Sequence, residues 1–529
     1  MNESKKNQGW VVGVALLDPS LADNTGDRER LVRALATALG QPPVTVDHRA
    51  LAALPGAARA DGGAVRCVLV PEGPGYAVAD VFAPGQARPV LGLAVDLGTT
   101  RVVTRLADLS ENRVLGQAAA DNPQAEIGPD VLARIHHTDS APGGMARLQA
   151  LAVGCIQGLG ARLAREAGLS AESIALVSLA GNTAMTHLFL GLPSRWIIRE
   201  PYIPAANSPD PVLAQDLNLA FAPGCRVFAF PNAGSYFGGD LIAGICHLGM
   251  HQSEKLALLV DVGTNAEVVL GCSDWLMACA GAAGPALEGG ITRMGVTARP
   301  GAIDRVHIEP ETGRFVLHTI GDLPPVGICG SGVIDLAAWL FVTGRLDERG
   351  KFVAKALGDR LTVDENGLPA VAVATAGESA TARPLLFSQA DMDSLVRSKA
   401  AMYTILSTLA STVGVEFSDL SAFYVAGTFG AFIDPESAIA IGMIPDLPLA
   451  VYQSPGNTSL AGAARLLFSR EAAAEAREVR DRITYLELNV NQEFMTRFSA
   501  ARFFPHTDAS LFPTAVKRRG EVARGGGDG

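Results

Sequence analysis

The segment Leu91-Gly92-Leu93-Ala94-Val95-Asp96-Leu97-Gly98-Thr99-Thr100 is a short apolar run that ends in a carboxylate and a tight Gly-Thr-Thr turn. It recurs 165 residues further on as Leu256-Ala257-Leu258-Leu259-Val260-Asp261-Val262-Gly263-Thr264-Asn265. Each copy leads into two more strand-like stretches, 102–109 and 113–120 after the first, 266–272 and 275–280 after the second. Two strand–turn–strand–strand units at this spacing read as a duplicated α/β domain, because the period is too long for a solenoid.

The surrounding sequence fits that reading. In the first half, helical stretches around 146–167 precede an apolar run at 174–179, which ends in Ala180-Gly181-Asn182-Thr183 before a helix at 184–190. In the second half, Gly327-Ile328-Cys329-Gly330-Ser331-Gly332 runs into a helix at 333–342. A long helix is predicted over Gln389–Val413, with Ser388 and Asp391 spaced as a capping box. A strand at 422–425 runs into Ala426-Gly427-Thr428-Phe429-Gly430. Upstream, residues 10–88 read as a small α/β unit: a strand at 10–17, a helix at Asp27–Leu39 stopped by Gly40, and a strand at 64–70. The Gly- and Pro-rich stretch 71–89 reads as a loop or boundary. The expected domains are therefore 1–89, 90–254 and 255–510, followed by a disordered Gly- and Arg-rich tail at 511–529.

Composition narrows the function. A chain of 529 residues holds roughly two to four domains. With 48% hydrophobic and 18% charged residues, its bulk is not disordered. The mean hydropathy of +0.23 comes from scattered Ala, Val and Leu. Runs such as 256–260 fall far short of the roughly 20 apolar residues that cross a bilayer. The opening MNESKKNQGW lacks the apolar core of a signal peptide. A cytoplasmic protein without a membrane role is expected. The net charge of −11, without a basic stripe, argues against nucleic acid as the main partner. Cys67, Cys155, Cys225, Cys246, Cys272, Cys279 and Cys329 are dispersed, with no pair two residues apart. They read as reduced thiols, not a disulfide framework, a zinc site or an iron–sulfur cluster.

The two Asp-x-Gly-Thr turns carry the chemistry. Glycine lets backbone N–H groups approach a ligand, and amides in a tight turn cradle phosphate oxygens. A carboxylate beside phosphate implies Mg²⁺ and its waters between them. Asp96 and Asp261 are the expected metal and catalytic carboxylates. Gly98, Thr99, Thr100, Gly263, Thr264 and Asn265 are the expected phosphate donors. One copy alone reads more readily as a hairpin turn; two, each after an apolar strand, favour polyphosphate. The turn at Gly427, Thr428, Phe429 and Gly430 reads by itself as a plain tight turn; its position after both phosphate turns suits it to a base or ribose. Glu288 is placed to orient an attacking water or a Mg²⁺ water, or else is an ordinary loop carboxylate. Asn182 faces phosphate or serves only as a helix cap. Lys399 reaches the nucleotide or is a solvated helix lysine. Asp335 reads as a first-turn carboxylate favoured by the helix dipole. Cys279 and Cys329 read as packed thiols.

The order of these turns resembles the actin-like ATPase superfamily. Several strings resemble, more specifically, the reductive activators of corrinoid proteins, the RACo group. They are Asn122-Pro123-Gln124 with Gly128, Asp130 and Val131; Gly181-Asn182-Thr183-Ala184-Met185; Ala282-Ala283-Gly284-Pro285-Ala286-Leu287-Glu288-Gly289; Gly327 to Gly332; Asp434-Pro435-Glu436-Ser437-Ala438; and Phe503-Phe504-Pro505-His506. The resemblance covers roughly 10–510, with 10–88 similar to the small middle domain of that group. It implies a small N-terminal α/β domain, then two ribonuclease H-like halves that hold ATP and Mg²⁺. It also implies ATP-dependent reduction of a corrinoid protein or corrinoid methyltransferase from Co(II) to Co(I). RACo-type proteins carry a two-iron two-sulfur domain, whereas no iron–sulfur cluster is expected here, so a separate ferredoxin or flavoprotein is the expected electron donor. Where relatives have a second glycine in the adenosine turn, this chain has Thr428. Two other readings stay open: a small-molecule kinase, and an ATP-gated binding protein or chaperone for a corrinoid or metalloprotein. The oligomeric state is open, a homodimer included.

Overall fold

The computed structural model describes residues 8–262, 266–281, 292–427, 433–488 and 493–525. They fall into two compact units, Met1–Gly249 with Thr458–Ile483 and Met250–Asn457 with Thr484–Gly529.

The first unit opens with a four-stranded sheet. Its strands are β1 (Val11–Ala15), β2 (Val44–Val46), β3 (Ala64–Glu72) and β4 (Gly75–Phe82), in the order β1-β3-β4-β2. Helices α1 (Asp27–Leu39) and α2 (His48–Ala60) belong to it. Helix α1 has the expected bounds, and Gly40 closes it at φ 78°, a left-handed C-cap that suits glycine. Strand β4 occupies part of the stretch expected to be a loop or boundary, and 83–89 is the loop that leads to the larger sheet. The Gly and Pro signal there belongs to a two-residue hairpin turn, with Glu72 opposite Gly75.

The larger sheet of this unit contains β5 (Leu91–Leu97), β6 (Arg101–Asp108), β7 (Arg113–Asp121), β8 (Ile174–Gly181), β9 (Val212–Leu213) and β10 (Arg226–Ala229). Its order is β7-β6-β5-β8-β10-β9. Strands β5, β6 and β7 form an antiparallel meander, and β8 and β10 run parallel to β5. Leu91, Leu93, Val95 and Leu97 are buried against helix α4 (Gly144–Glu166), which follows α3 (Val131–Ser140). Helix α5 (Thr183–Leu190) follows β8, and α6 (Gly239–Leu248) follows β10.

The second unit repeats this plan. Its main sheet contains β11 (Ala257–Val262), β12 (Ala266–Gly271), β13 (Leu276–Gly281), and later Ala422–Ala426 and Tyr452–Gly456. The first three form an antiparallel meander; Ala422–Ala426 pairs parallel with β11, and Tyr452–Gly456 with Ala422–Ala426. The central five strands thus have the same order and directions in both units. That is the duplication expected from the repeated turns. Helix α7 (Gly330–Val342) and helix α8 (Gln389–Val413) pack in its core. Ser388 and Asp391 form the reciprocal capping box at the start of α8.

Two boundaries differ from expectation. Helices Thr458–Phe468 and Glu471–Arg482 return to the first unit. Gly462 makes the contact with α6 feasible, because a Cβ there would lie 2.1 Å from the Ala243 carbonyl oxygen. Trp10, fully buried, donates from Nε1 to the Leu466 carbonyl at 2.7 Å. The expected disordered tail is a helix over Pro513–Gly525. Phe512 and Ala515 are buried in the second unit, and Arg519 stacks on Phe341 at 4.5 Å. Among the described residues, no helix is long and apolar enough to cross a membrane.

Arg226 ties the small sheet to the larger one. Its side chain is nearly buried, with Nε 2.8 Å from Glu72 Oε2 and Nη2 3.2 Å from Asp47 Oδ1. Both carboxylates are partly exposed, so in Arg226→Met they rehydrate instead of being stranded. The expected cost is about 1–3 kcal/mol, more than an exposed pair gives. A thermal melt of the variant should shift down by roughly 2–5 °C. An unchanged melt means that the fork contributes nothing.

Candidate functional site

The first predicted turn is tightly specified. Asp96, half-buried, lies near the end of β5. The Gly98 amide donates to the Arg101 carbonyl at 3.0 Å, and a Cβ on Gly98 would lie 2.6 Å from that oxygen. All three following carbonyls are held. Gly98 O accepts from Asn122 Nδ2 at 2.9 Å, Thr99 O from Arg134 Nη2 at 2.7 Å, and Thr100 O from the Asn122 amide at 2.8 Å. In a planar trans peptide the next N–H points opposite to the carbonyl. The Thr99 and Thr100 amides therefore face away from Asn122 and Arg134. Neither donates to an acceptor among the described residues. Amides presented in this way are chemically suited to an anion.

Two side chains complete it. Asn182 caps α5 through Oδ1, which accepts from the Met185 amide at 2.9 Å. Its Nδ2 donates to Thr99 Oγ1 at 3.1 Å. It is thus both a cap and a neighbour of the turn. Asp96 Oδ1 accepts from Ser459 Oγ at 2.8 Å. Ser459 comes from helix Thr458–Phe468, and no local pattern in the sequence pointed to it.

The buttress of the turn is built from strings that sequence reading quoted only as a resemblance. Asn122 caps a short helical turn through the Gln124 amide, and Gln124 Nε2 donates to the Leu148 carbonyl at 2.8 Å. Gly128 O accepts from Arg134 Nε at 2.9 Å. Asp130 caps α3, which carries Arg134 inward.

In the second unit, Asp261 lies opposite Ala426 in the parallel pairing of β11 with Ala422–Ala426. Gly427 follows at φ 80°, and a Cβ there would lie 3.0 Å from Asp261 Oδ1. Glycine is required there by its backbone angle and by the carboxylate beside it. The structure thus brings Asp261 and Gly427 together. Gly263, Thr264, Asn265, Glu288, Thr428, Phe429 and Gly430 lie outside the described residues.

Lys399 is corrected. It is fully buried in α8, and its Nζ donates to the Pro505 carbonyl at 2.8 Å and to the Phe503 carbonyl. It sits 5.0 Å from the Phe504 ring centre. With its ammonium position enclosed by backbone, it holds the C-terminal segment and does not reach a nucleotide. Burial lowers its pKa well below the ordinary lysine value. Asp335 is more than a first-turn carboxylate. It is buried, with Oδ2 3.4 Å from the Val306 amide, and burial with the nearby Asp434 charge pushes its pKa up to about 6. Cys279 and Cys329 are buried, as read.

Comparison with known proteins bears on the same segments. The C-terminal domain of RACo, the ASKHA domain, matches residues 255–516. The RACo middle region matches 91–253, and the RACo linker region matches 10–87. The small N-terminal domain therefore corresponds to the family's linker and not to its middle region. The corrinoid activation enzyme RamQ of Eubacterium limosum is 30% identical over 423 residues, which span 79% of this chain and 71% of RamQ. The [Co(II) methylated amine-specific corrinoid protein] reductase of Methanosarcina barkeri is 26% identical over 285 residues, 49% of this chain and 48% of that protein. The solved structure of a reductive activator for a corrinoid, iron–sulfur protein has a TM-score of 0.83 at 37% identity, covering 95% of this chain and 80% of that one. With three consecutive regional matches and relatives of this identity and coverage, the chain belongs to the RACo family.

Proposed function

We propose that this protein is an ATP-dependent reductive activator of a corrinoid protein or corrinoid methyltransferase. In the proposed reaction a separate ferredoxin or flavoprotein loses one electron, and Co(II) on the partner gains it to become Co(I). The observation that carries the nucleotide part is the Asp96–Thr100 turn: its carbonyls are tied from one side, and its Thr99 and Thr100 amides are left as donors beside a carboxylate. Family membership and the activities named for RamQ and the Methanosarcina reductase support the corrinoid part.

The donor set suits Mg²⁺. Asp96 offers hard carboxylate oxygen held in orientation by Ser459, and Mg²⁺ is bound through few carboxylates and several waters. When bound, the ion neutralises phosphate charge. The proposed holders are Asp96 and Asp261, with Gly98, Thr99, Thr100 and Asn182 at the phosphates and the Gly427 turn at the nucleoside. The coupling is needed because the electron moves uphill. A one-electron gap of roughly 250 mV costs about 6 kcal/mol, since 59 mV is a factor of ten. Nucleotide binding offsets that cost only if the protein has two states that differ in affinity for nucleotide and partner.

The test is visible spectroscopy of a Co(II) corrinoid protein supplied with a mild reductant. Co(I) should appear only when this protein and ATP are both present. Intact ATP binding without Co(I) would overturn the activator reading in favour of a kinase or an ATP-gated binding protein.

A further inference from the structure

Arg134 is fully buried, and its charge has no counter-ion at hand. Its guanidinium donates to Gly128 O at 2.9 Å, Gln124 Oε1 at 3.3 Å, Met185 Sδ at 3.1 Å and Thr99 O at 2.7 Å. All four acceptors are neutral. Among the described residues, no carboxylate lies within ion-pair distance of it. Asp130 favours its charge from further off, with Oδ1 committed to capping α3. Burial lowers the Arg134 pKa to about 10, so the group stays charged at neutral pH. A buried, unpaired cation is costly. A neutral donor such as glutamine would tie the Thr99 carbonyl without that cost.

Its placement gives the charge a use. Arg134 stands behind the Thr99–Thr100 peptide, and the amide of that peptide points the other way. We propose that Arg134 is the positioning cation of the phosphate site: it fixes and polarises the Thr99–Thr100 peptide, and its charge acts through that peptide on a polyphosphate at the Thr100 amide. The inference rests on the nucleotide reading above. It assigns to the signature around Asn122–Asp130 the task of burying a charge beneath the turn. Arg134 does not touch the ligand; it acts through the backbone.

The test compares Arg134→Lys, Arg134→Gln and Arg134→Met with the full-length parent protein. Equilibrium binding of adenosine, ADP, ATP and inorganic pyrophosphate is measured for each. For Met and Gln, the loss should grow with ligand charge: close to none for adenosine, on the order of tenfold for ADP and pyrophosphate, and on the order of a hundredfold for ATP, as an interaction between charges requires. Lys keeps the charge and loses the fork, so it should recover most of the ATP affinity. Gln matching the parent, or Lys as weak as Met, would overturn the role of the charge and leave only a structural tie. Equal losses for adenosine and ATP would overturn it too. Should one variant fail to fold, the order of the other two against the parent decides. If the parent itself binds neither ATP nor pyrophosphate, it is the nucleotide reading that falls.

Discussion

Asp96→Ala and Asp261→Ala are each expected to cut ATP-dependent formation of Co(I) by roughly 10²–10³-fold, about 3–4 kcal/mol of lost transition-state or coupling energy. A carboxylate repels phosphate directly, so either residue helps only through a cation. Removing one should therefore lower the response to Mg²⁺ more than it lowers adenosine binding. Asp96→Asn separates charge from scaffold. Asn keeps an oxygen for the Ser459 hydroxyl, which Asp96 Oδ1 accepts at 2.8 Å, but loses the negative charge. It should be nearly as inactive as Ala and more stable. Losing the bond from Ser459 does not account for the expected loss, because stranding that hydroxyl costs only about 1–3 kcal/mol of folding energy. The check is Co(I) appearance by absorbance, with ATP titrations at several Mg²⁺ concentrations. Wild-type rates in both variants would sink the assignment.

How far the sequence could be read depended on whether the signal was local. The two strands and the first turn were legible because each apolar run ends in Asp followed by a turn-forming residue set within five positions. Strand β5 and strand β11 both end there. Asn182 was legible as a cap, and its second contact, to Thr99, follows from where β8 pairs with β5. Arg134 was not legible. On α3 it lies between Ala133 and Ile135, and an arginine on a short helix reads as one more surface charge; the Thr99 turn, the Gln124–Gly128 segment and Met185 of α5 enclose it. Ser459 lies 363 residues from Asp96, so only the returning helix brings it there. The C-terminal helix was misread because Gly and Arg dominate its composition. Its signal was periodic: Phe512, Ala515, Arg519 and Val522 recur at helical spacing. Lys399 was misread for the opposite reason, because a lysine on a long helix is usually solvated. Here Gly442, at φ 74° and with room for no Cβ against the Pro505 carbonyl, helps bring the C-terminal segment over it.

Lys399→Met should change how stability depends on pH. In the folded protein the Lys399 amine resists protonation, because burial holds its pKa well below 10.5. The unfolded chain takes up that proton as pH falls below about 10.4. The unfolded state then binds more protons than the folded one, so this residue's contribution to stability is lost as pH falls from there through the folded pKa. The slope is at most about 1.4 kcal/mol per pH unit, and it stops below the folded pKa. Other groups oppose it. Burial pushes the Cys279 thiol and the Tyr403 hydroxyl up to about 12, and Tyr452 up as well, so their contributions fall as pH rises. The raw curve therefore mixes both signs, and the difference between parent and variant isolates Lys399. Burial holds His506 next to it below its ordinary value in parent and variant alike, so it stays neutral above pH 7.5 and drops out of the comparison. Methionine is similar in length and suits the Phe504 ring, but it leaves the Phe503 and Pro505 carbonyls without their donor, a pH-independent cost of about 1–3 kcal/mol each. Urea denaturation between pH 7.5 and 10 should find the variant weaker than the parent at pH 10. The gap should narrow as pH falls, because only the parent must then bury an ammonium or give up its proton. Parallel curves would mean that Lys399 titrates as an ordinary lysine, and that its two carbonyls and the aromatic ring are enough to keep it charged inside the fold.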